Sequence, residues 1–166
     1  LLFCCKKSDE KTKETTQLNS EGNLYIKLPS DDHPYFDDDS LATFLKSKLS
    51  KIALDSKFKI EKRLTDNRHV DNLKDTIITR TFENTVLTSY KGVDEEWIFE
   101  ASIENKDFKL TDYIQVGSSK KVVEKSLGIV IPNDILTIGN LEQTSQFILK
   151  FESGYIKQIE YEGYFD

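Results

Sequence analysis

The stretch Thr76-Ile77-Ile78-Thr79-Arg80-Thr81-Phe82-Glu83-Asn84-Thr85-Val86-Leu87-Thr88-Ser89-Tyr90 decides the fold class. Two runs of β-branched and aromatic residues flank Glu83-Asn84, which predicts a β-hairpin over 76–82 and 85–90. The next run, Glu96 to Ile103, alternates strongly. Strict alternation places Trp97, Phe99, Ala101 and Ile103 on one face and Ile98, Glu100 and Ser102 on the other.

Working outward, Phe58 and Ile60 alternate with Lys57, Lys59 and Glu61, the pattern of an edge or one-face-exposed strand, and Thr65 to Asp75 reads as polar connection. Before it, Leu41, Phe44, Leu45, Leu49 and Ile52 recur at helical spacing, with Lys48 the polar exception. A helix is expected to about Leu54, capped by Asp39 or Ser40. Asn23 to Leu28 alternates as a half-buried strand closed by Pro29.

Downstream, Gly117-Ser118-Ser119 supplies a turn and a cap. Val122, Val123 and Leu127 then mark a short helix ended by Gly128, the residue favoured just beyond a helix C-terminus. Asp134 to Ile138, Gln146 to Phe151 and Tyr155 to Tyr161 read as strands, with Gly139-Asn140 and Ser153-Gly154 as turn chemistry. The sum is two passes of helix followed by antiparallel strands. The expected fold is α+β, a predominantly antiparallel sheet with two helices on one face and a flexible N-terminal tail.

The chain starts Leu1-Leu2-Phe3-Cys4-Cys5-Lys6-Lys7 and contains no methionine. An apolar stub ending at a small residue is expected to be a signal-peptide remnant. Leu2-Phe3-Cys4-Cys5 resembles a bacterial lipobox, with an apolar residue three places before the acylated cysteine; the resemblance puts the lipid on Cys5. From Lys6 to Gly22 only Leu18 is large and apolar, too little to offset the entropy of ordering. Residues 1–22 are therefore expected to be remnant and disordered tether, and residues 23–166 a single α+β domain.

At net charge -6 and pI near 5.1, with lysines and acids interspersed, no basic stripe tracks a phosphate backbone, and a nucleic-acid partner is not expected. Both cysteines lie in the N-terminal stub, so the body has no disulfide framework, thiol nucleophile or cysteine-based zinc site. The stub falls short of the roughly 20 apolar residues a membrane span requires. Membrane attachment would be by lipid.

The run Ile114-Gln115-Val116-Gly117-Ser118-Ser119-Lys120-Lys121-Val122-Val123-Glu124-Lys125-Ser126-Leu127-Gly128, followed by a hairpin over Phe147 to Tyr161, is similar to the helix-plus-sheet unit of β-lactamase-inhibitor-like proteins and small outer-membrane assembly lipoproteins. It also resembles uncharacterised lipoproteins of the Bacteroidetes. The resemblance covers about the last third of the chain. It implies a non-enzymatic, protein-binding role in the bacterial envelope and transfers no binding residue: the matched positions turn (Gly117), cap (Ser119) and terminate (Gly128).

Sites of chemistry are few. His33 and His69 lie far apart in polar loops and are expected to be solvated, without a metal. Asp31, Asp32, Asp37, Asp38 and Asp39 offer calcium-type oxygens, but lack the EF-hand spacing and its glycine, and the last three suit a helix N-terminus. Gly117-Ser118-Ser119-Lys120 has no second glycine or Walker spacing. Tyr155, Tyr161, Tyr164 and Phe165 crowd the C-terminus as core or clamp. No cofactor and no catalytic residue is expected. The expectation is a lipid-anchored outer-membrane protein whose body binds another protein as an inhibitor-like module. The alternative is a secreted or surface enzyme, such as a glycan hydrolase accessory, using a carboxylate pair. A convergent pocket with two carboxylates favours the enzyme, and a shallow sheet face with exposed aromatics favours binding.

Overall fold

The computed structural model describes residues 15–18, 24–27, 34–67 and 69–164, the first two segments as backbone alone. In chain order the elements are β1 (Thr15–Leu18), β2 (Leu24–Lys27), β3 (Tyr35–Asp37), α1 (Asp39–Ile52), β4 (Lys59–Asp66), β5 (Lys74–Phe82), β6 (Thr85–Lys91), β7 (Glu96–Ile103), α2 (Lys120–Leu127), β8 (Ile135–Gly139), β9 (Ser145–Glu152) and β10 (Tyr155–Gly163). Among the described residues the strands form one ten-stranded sheet ordered β1-β2-β3-β8-β9-β10-β7-β6-β5-β4. Every neighbouring pair is antiparallel except β3 with β8.

The α+β class and the predominantly antiparallel sheet stand. Two meanders, β4 to β7 and β8 to β10, each follow a helix and join where β7 pairs with β10. Short turns permit this. Ser153 and Gly154 both take left-handed backbone, φ 52° and 79°, which matches the twist of the β9–β10 hairpin.

Side-chain alternation builds the core from rows that cross the sheet. Leu87, Ala101, Tyr161, Phe147 and Ile138 are directly opposite one another in turn across β6, β7, β10, β9 and β8. Ile103, Ile159, Leu149 and Leu136 form a parallel row. Leu45 and Leu49 of α1 and Val123 of α2 belong to the same buried cluster. Fully burying each such side chain contributes about 1.5–3 kcal/mol. Phe108, Leu110 and Ile114, from the irregular segment between β7 and α2, fill the rest.

The N-cap of α1 is Asp38, one residue earlier than expected; its side chain accepts from the Leu41 amide at 2.9 Å. The cause is the adjoining strand. The Asp38 amide donates to the Gly139 carbonyl at 2.9 Å, which holds Asp38 extended at φ -150° as the cap, and the helix begins directly after it at Asp39. Ser119 caps α2, and Gly128 ends it with φ +67°.

Three further differences matter. β4 extends to Asp66, so the polar connection begins only at Asn67. The segment 6–22, expected to be disordered, contains strand β1 paired antiparallel with β2; the rest of that tether, and Cys5, lie outside the described residues. The largest difference is in β7. Thr88 pairs with Glu100, but Ser89 pairs with Ile98, so Phe99 is an extra residue. This β-bulge reverses the alternation. Ala101 and Ile103 remain in the core, whereas Trp97 and Phe99 go to the opposite face and Ile98 packs against the core.

Candidate functional site

The sheet face opposite the core rows carries a second set of side chains in register. Thr81, Val86, Ser102, Glu160, Ile148, Thr137 and Tyr35 follow one another across seven strands, from β5 to β3. A parallel row runs Glu61, Thr79, Thr88, Glu100, Glu162 and Gln146. Most of these groups are half-buried or exposed. The rows are rich in short hydroxylated side chains, which leave the sheet surface shallow.

Over β4 to β7 this face sinks into an open trough of about 580 Å³. Its floor includes Ile77, Thr79, Thr88 and Phe99, with Glu61, Arg63 and Asp66 at the β4 side. Tyr90 also lines it. Trp97, directly opposite Tyr90, stacks on it with ring centroids 6.0 Å apart and stays 41% exposed.

Buried polar contacts hold the aromatic pair. The Tyr90 hydroxyl donates to Asp75, which is only 2% exposed and also accepts from the Asn67 side-chain amide (Nδ2) at 2.6 Å. The Asn67 side-chain oxygen in turn accepts from the amides of His69 and Val70 at 2.8 and 2.7 Å, fixing the loop between β4 and β5. Tyr90 therefore reaches the trough from a satisfied hydrogen bond rather than as a free rotor. Such preorganisation lowers the entropy lost on binding.

Charge on the face is uneven. Glu100 and Glu162 are exposed and directly opposite across β7 and β10, an arrangement that costs stability. Nearby Glu160 is paired with Lys150 at 2.6 Å, and Gln158 donates to the Ser102 hydroxyl at 2.8 Å. At the trough, Glu61 binds Lys59 at 2.8 Å, and that hydrogen bond and charge hold its carboxyl below the usual glutamate range. This is the opposite direction from a general acid.

The sequence candidates are scattered. Asp38 caps α1, Asp39 sits in its first turn and Asp37 ends β3, while Asp31, Asp32 and His33 lie outside the described residues. His69 is exposed on the loop between β4 and β5. Among the described residues no group of three or more His, Cys, Asp or Glu side chains could hold a metal, and no helix is long and apolar enough to cross a membrane. Tyr161 is buried in the core, whereas Tyr155 and Tyr164 are exposed; Phe165 lies outside the described residues.

No protein family, curated protein or solved structure matches this chain. Strict alternation puts Trp97 and Phe99 on the face of Ala101 and Ile103, whereas the bulge sets them on the opposite one, and in the sequence Tyr90 stands only as the end of a hairpin strand. No sequence signal marked the bulge that brings Trp97 and Phe99 to this face.

Proposed function

We propose that the chain is a non-enzymatic protein-binding module, inhibitor-like in its mode of action, that uses the sheet face bearing Trp97, Tyr90 and Phe99. The observation that carries the reading is the exposed Trp97 stacked on the anchored Tyr90 beside a shallow, hydroxyl-rich trough. Aromatic anchors surrounded by adaptable polar groups are what protein interfaces use for affinity. Both helices would lie on the other face, leaving this one free; the shared cluster of Leu45, Leu49 and Val123 with the core rows supports that placement. The opposed Glu100 and Glu162 favour a partner that brings positive charge to the β7–β10 seam.

The module would be held at the bacterial envelope, at the outer membrane, by lipid on Cys5. The support is the Leu2-Phe3-Cys4-Cys5 order followed by the polar segment 6–22. Because β1 begins at Thr15, the linker between Cys5 and the sheet would be residues 6–14, and a flexible linker of about nine residues reaches roughly 15–18 Å. Mass spectrometry of protein from native membranes is expected to find a diacylglyceryl group on Cys5, and Cys5→Ala to release the protein; an unmodified Cys5 contradicts the anchor. Reproducible co-purification of one protein with wild type, lost with Trp97→Ala, supports the binding face, and equal recovery with both variants contradicts it.

A further inference from the structure

The far edge of the sheet supports an inference beyond that face. β4 is the last strand in the sheet order and pairs with β5 without interruption from Lys59 opposite Thr81 to Asp66 opposite Lys74. Its outer edge has no neighbouring strand among the described residues. An exposed edge of this length is a template for another strand unless a proline, bulge or charge blocks it. The register of β4 on β5 has no bulge, and Lys59–Asp66 contains no proline; its charges, Lys59, Glu61, Lys62, Arg63 and Asp66, are of both signs, so they oppose only those registers that set like charges against each other. Ile60 and Leu64, two large apolar side chains on the same strand face, are 52% and 69% exposed.

We infer that β4 is a self-association edge, where a second copy of this chain adds its own β4 antiparallel about a two-fold axis midway between the two Lys62 residues. Residues directly opposite in a regular ladder share a face, so a two-fold axis normal to the sheet must pass midway between one residue and its own copy. Centring it on Lys62 places Ile60 opposite the second copy's Leu64 and Glu61 opposite its Arg63, each pair occurring twice. One face gains two apolar pairs and the other gains two ion pairs.

Neighbouring registers do not match. An axis between the two Glu61 residues sets Lys59 against Arg63 and Glu61 against itself; an axis between the two Arg63 residues sets Ile60 against Asp66 and Arg63 against itself. In the favoured register the like pair is Lys62 with Lys62, whose long stems let the ammonium groups diverge into water. Glu61, bound to Lys59 within one copy, would exchange that partner for Arg63 across the axis. The joined sheets would also bring the two troughs side by side, because Glu61 and Arg63 line the trough.

Sedimentation of the full chain over a concentration series, in reductant to prevent disulfides through Cys4 and Cys5, tests the register. Wild type is expected to shift reversibly from monomer to dimer. Glu61→Arg or Arg63→Glu alone should weaken association about tenfold, since each turns two attractive cross-strand pairs repulsive. The double swap, Glu61→Arg with Arg63→Glu, should restore it, and Lys62→Thr should tighten it. Circular dichroism confirms folding of each exposed-site variant. A chain that stays monomeric at every concentration, a dimer indifferent to the single reversals, or failure of the folded double swap to associate overturns the inference. Association of β4 with an extended peptide in place of a second copy would show as a monomer here and likewise overturns it.

Discussion

Trp97 faces Tyr90 across the β6–β7 ladder, ring centroids 6.0 Å apart and planes within 26°, because Phe99 is an extra residue in β7. The bulge transfers two aromatic side chains from the face of Ala101 and Ile103, where alternation puts them, to the outer one. Trp97→Ala is expected to cost about 1 kcal/mol of stability, since the ring is partly exposed and loses one stacking partner. Partner affinity should fall by about 2 kcal/mol or more, as for a central aromatic anchor. Urea denaturation and equilibrium binding of the same variant separate the two effects.

Glu100 and Glu162 provide an opposite signature. Removing one charge from a directly opposed like pair should stabilise the fold by about 0.2–1 kcal/mol, with the gain largest at low salt. Glu100→Gln is therefore expected to raise the thermal midpoint while weakening partner binding. A variant that gains stability and binds equally well would remove the seam from the interface.

Much of the architecture was legible because burial imposes a period. The β5–β6 and β9–β10 hairpins, both helices and the Ser119 and Gly128 signals follow from local pattern and turn chemistry. Long-range consequences were not legible. Extended pairing of Asp38 with Gly139 moved the α1 cap, continued pairing with β5 lengthened β4, and pairing with β2 made a strand inside the supposed tether. The outer placement of Trp97 and Phe99 was not legible for the same reason: a bulge is defined by two strands, and β7 alone shows only an unbroken alternation.

The buried Arg80 side chain bonds Ser89 at 2.7 Å and pairs with Glu96 at 2.7 Å. Burial pushes the Glu96 carboxyl up, but hydrogen bonds from Ser89 and Arg80 and the charges of Arg80 and Lys91 outweigh it, leaving the group below its ordinary 4.5. The folded state therefore binds fewer protons than the unfolded state, so this stabilisation is present above about pH 4.5 and is lost as pH falls through the depressed value. Glu96→Gln should lose stability at neutral pH and show a smaller further loss on acidification. Glu96→Ala, leaving Arg80 without its counter-charge, should cost about 2–3 kcal/mol at neutral pH. Urea denaturation across an acid pH series checks both.

Gly139 and Tyr35 are coupled where β3 runs parallel to β8. A Cβ at Gly139 would lie 2.8 Å from the Ser145 carbonyl oxygen and collide with the Tyr35 hydroxyl, which donates to the Asn140 carbonyl at 2.5 Å. Gly139→Ala should cost about 1–3 kcal/mol by overpacking. Burial, and then the charge of Asp37, push the Tyr35 phenol up from 10.0 to about 12. Its neutral form is favoured in the fold, so the contribution is full below pH 10 and lost as pH rises through about 12. Spectroscopic titration of wild type should contain a late phenol that Tyr35→Phe removes and Gly139→Ala shifts downward.

Site-specific photo-crosslinking in native membranes tests the binding face most directly, with the reactive group at Thr88 in the trough and, as a control, at exposed Lys46 on α1. A single protein adduct from Thr88, absent from Lys46 and abolished by Trp97→Ala, is the predicted result. Adducts of equal yield from both positions, or an adduct from Lys46 alone, would contradict a partner bound on the Trp97 face.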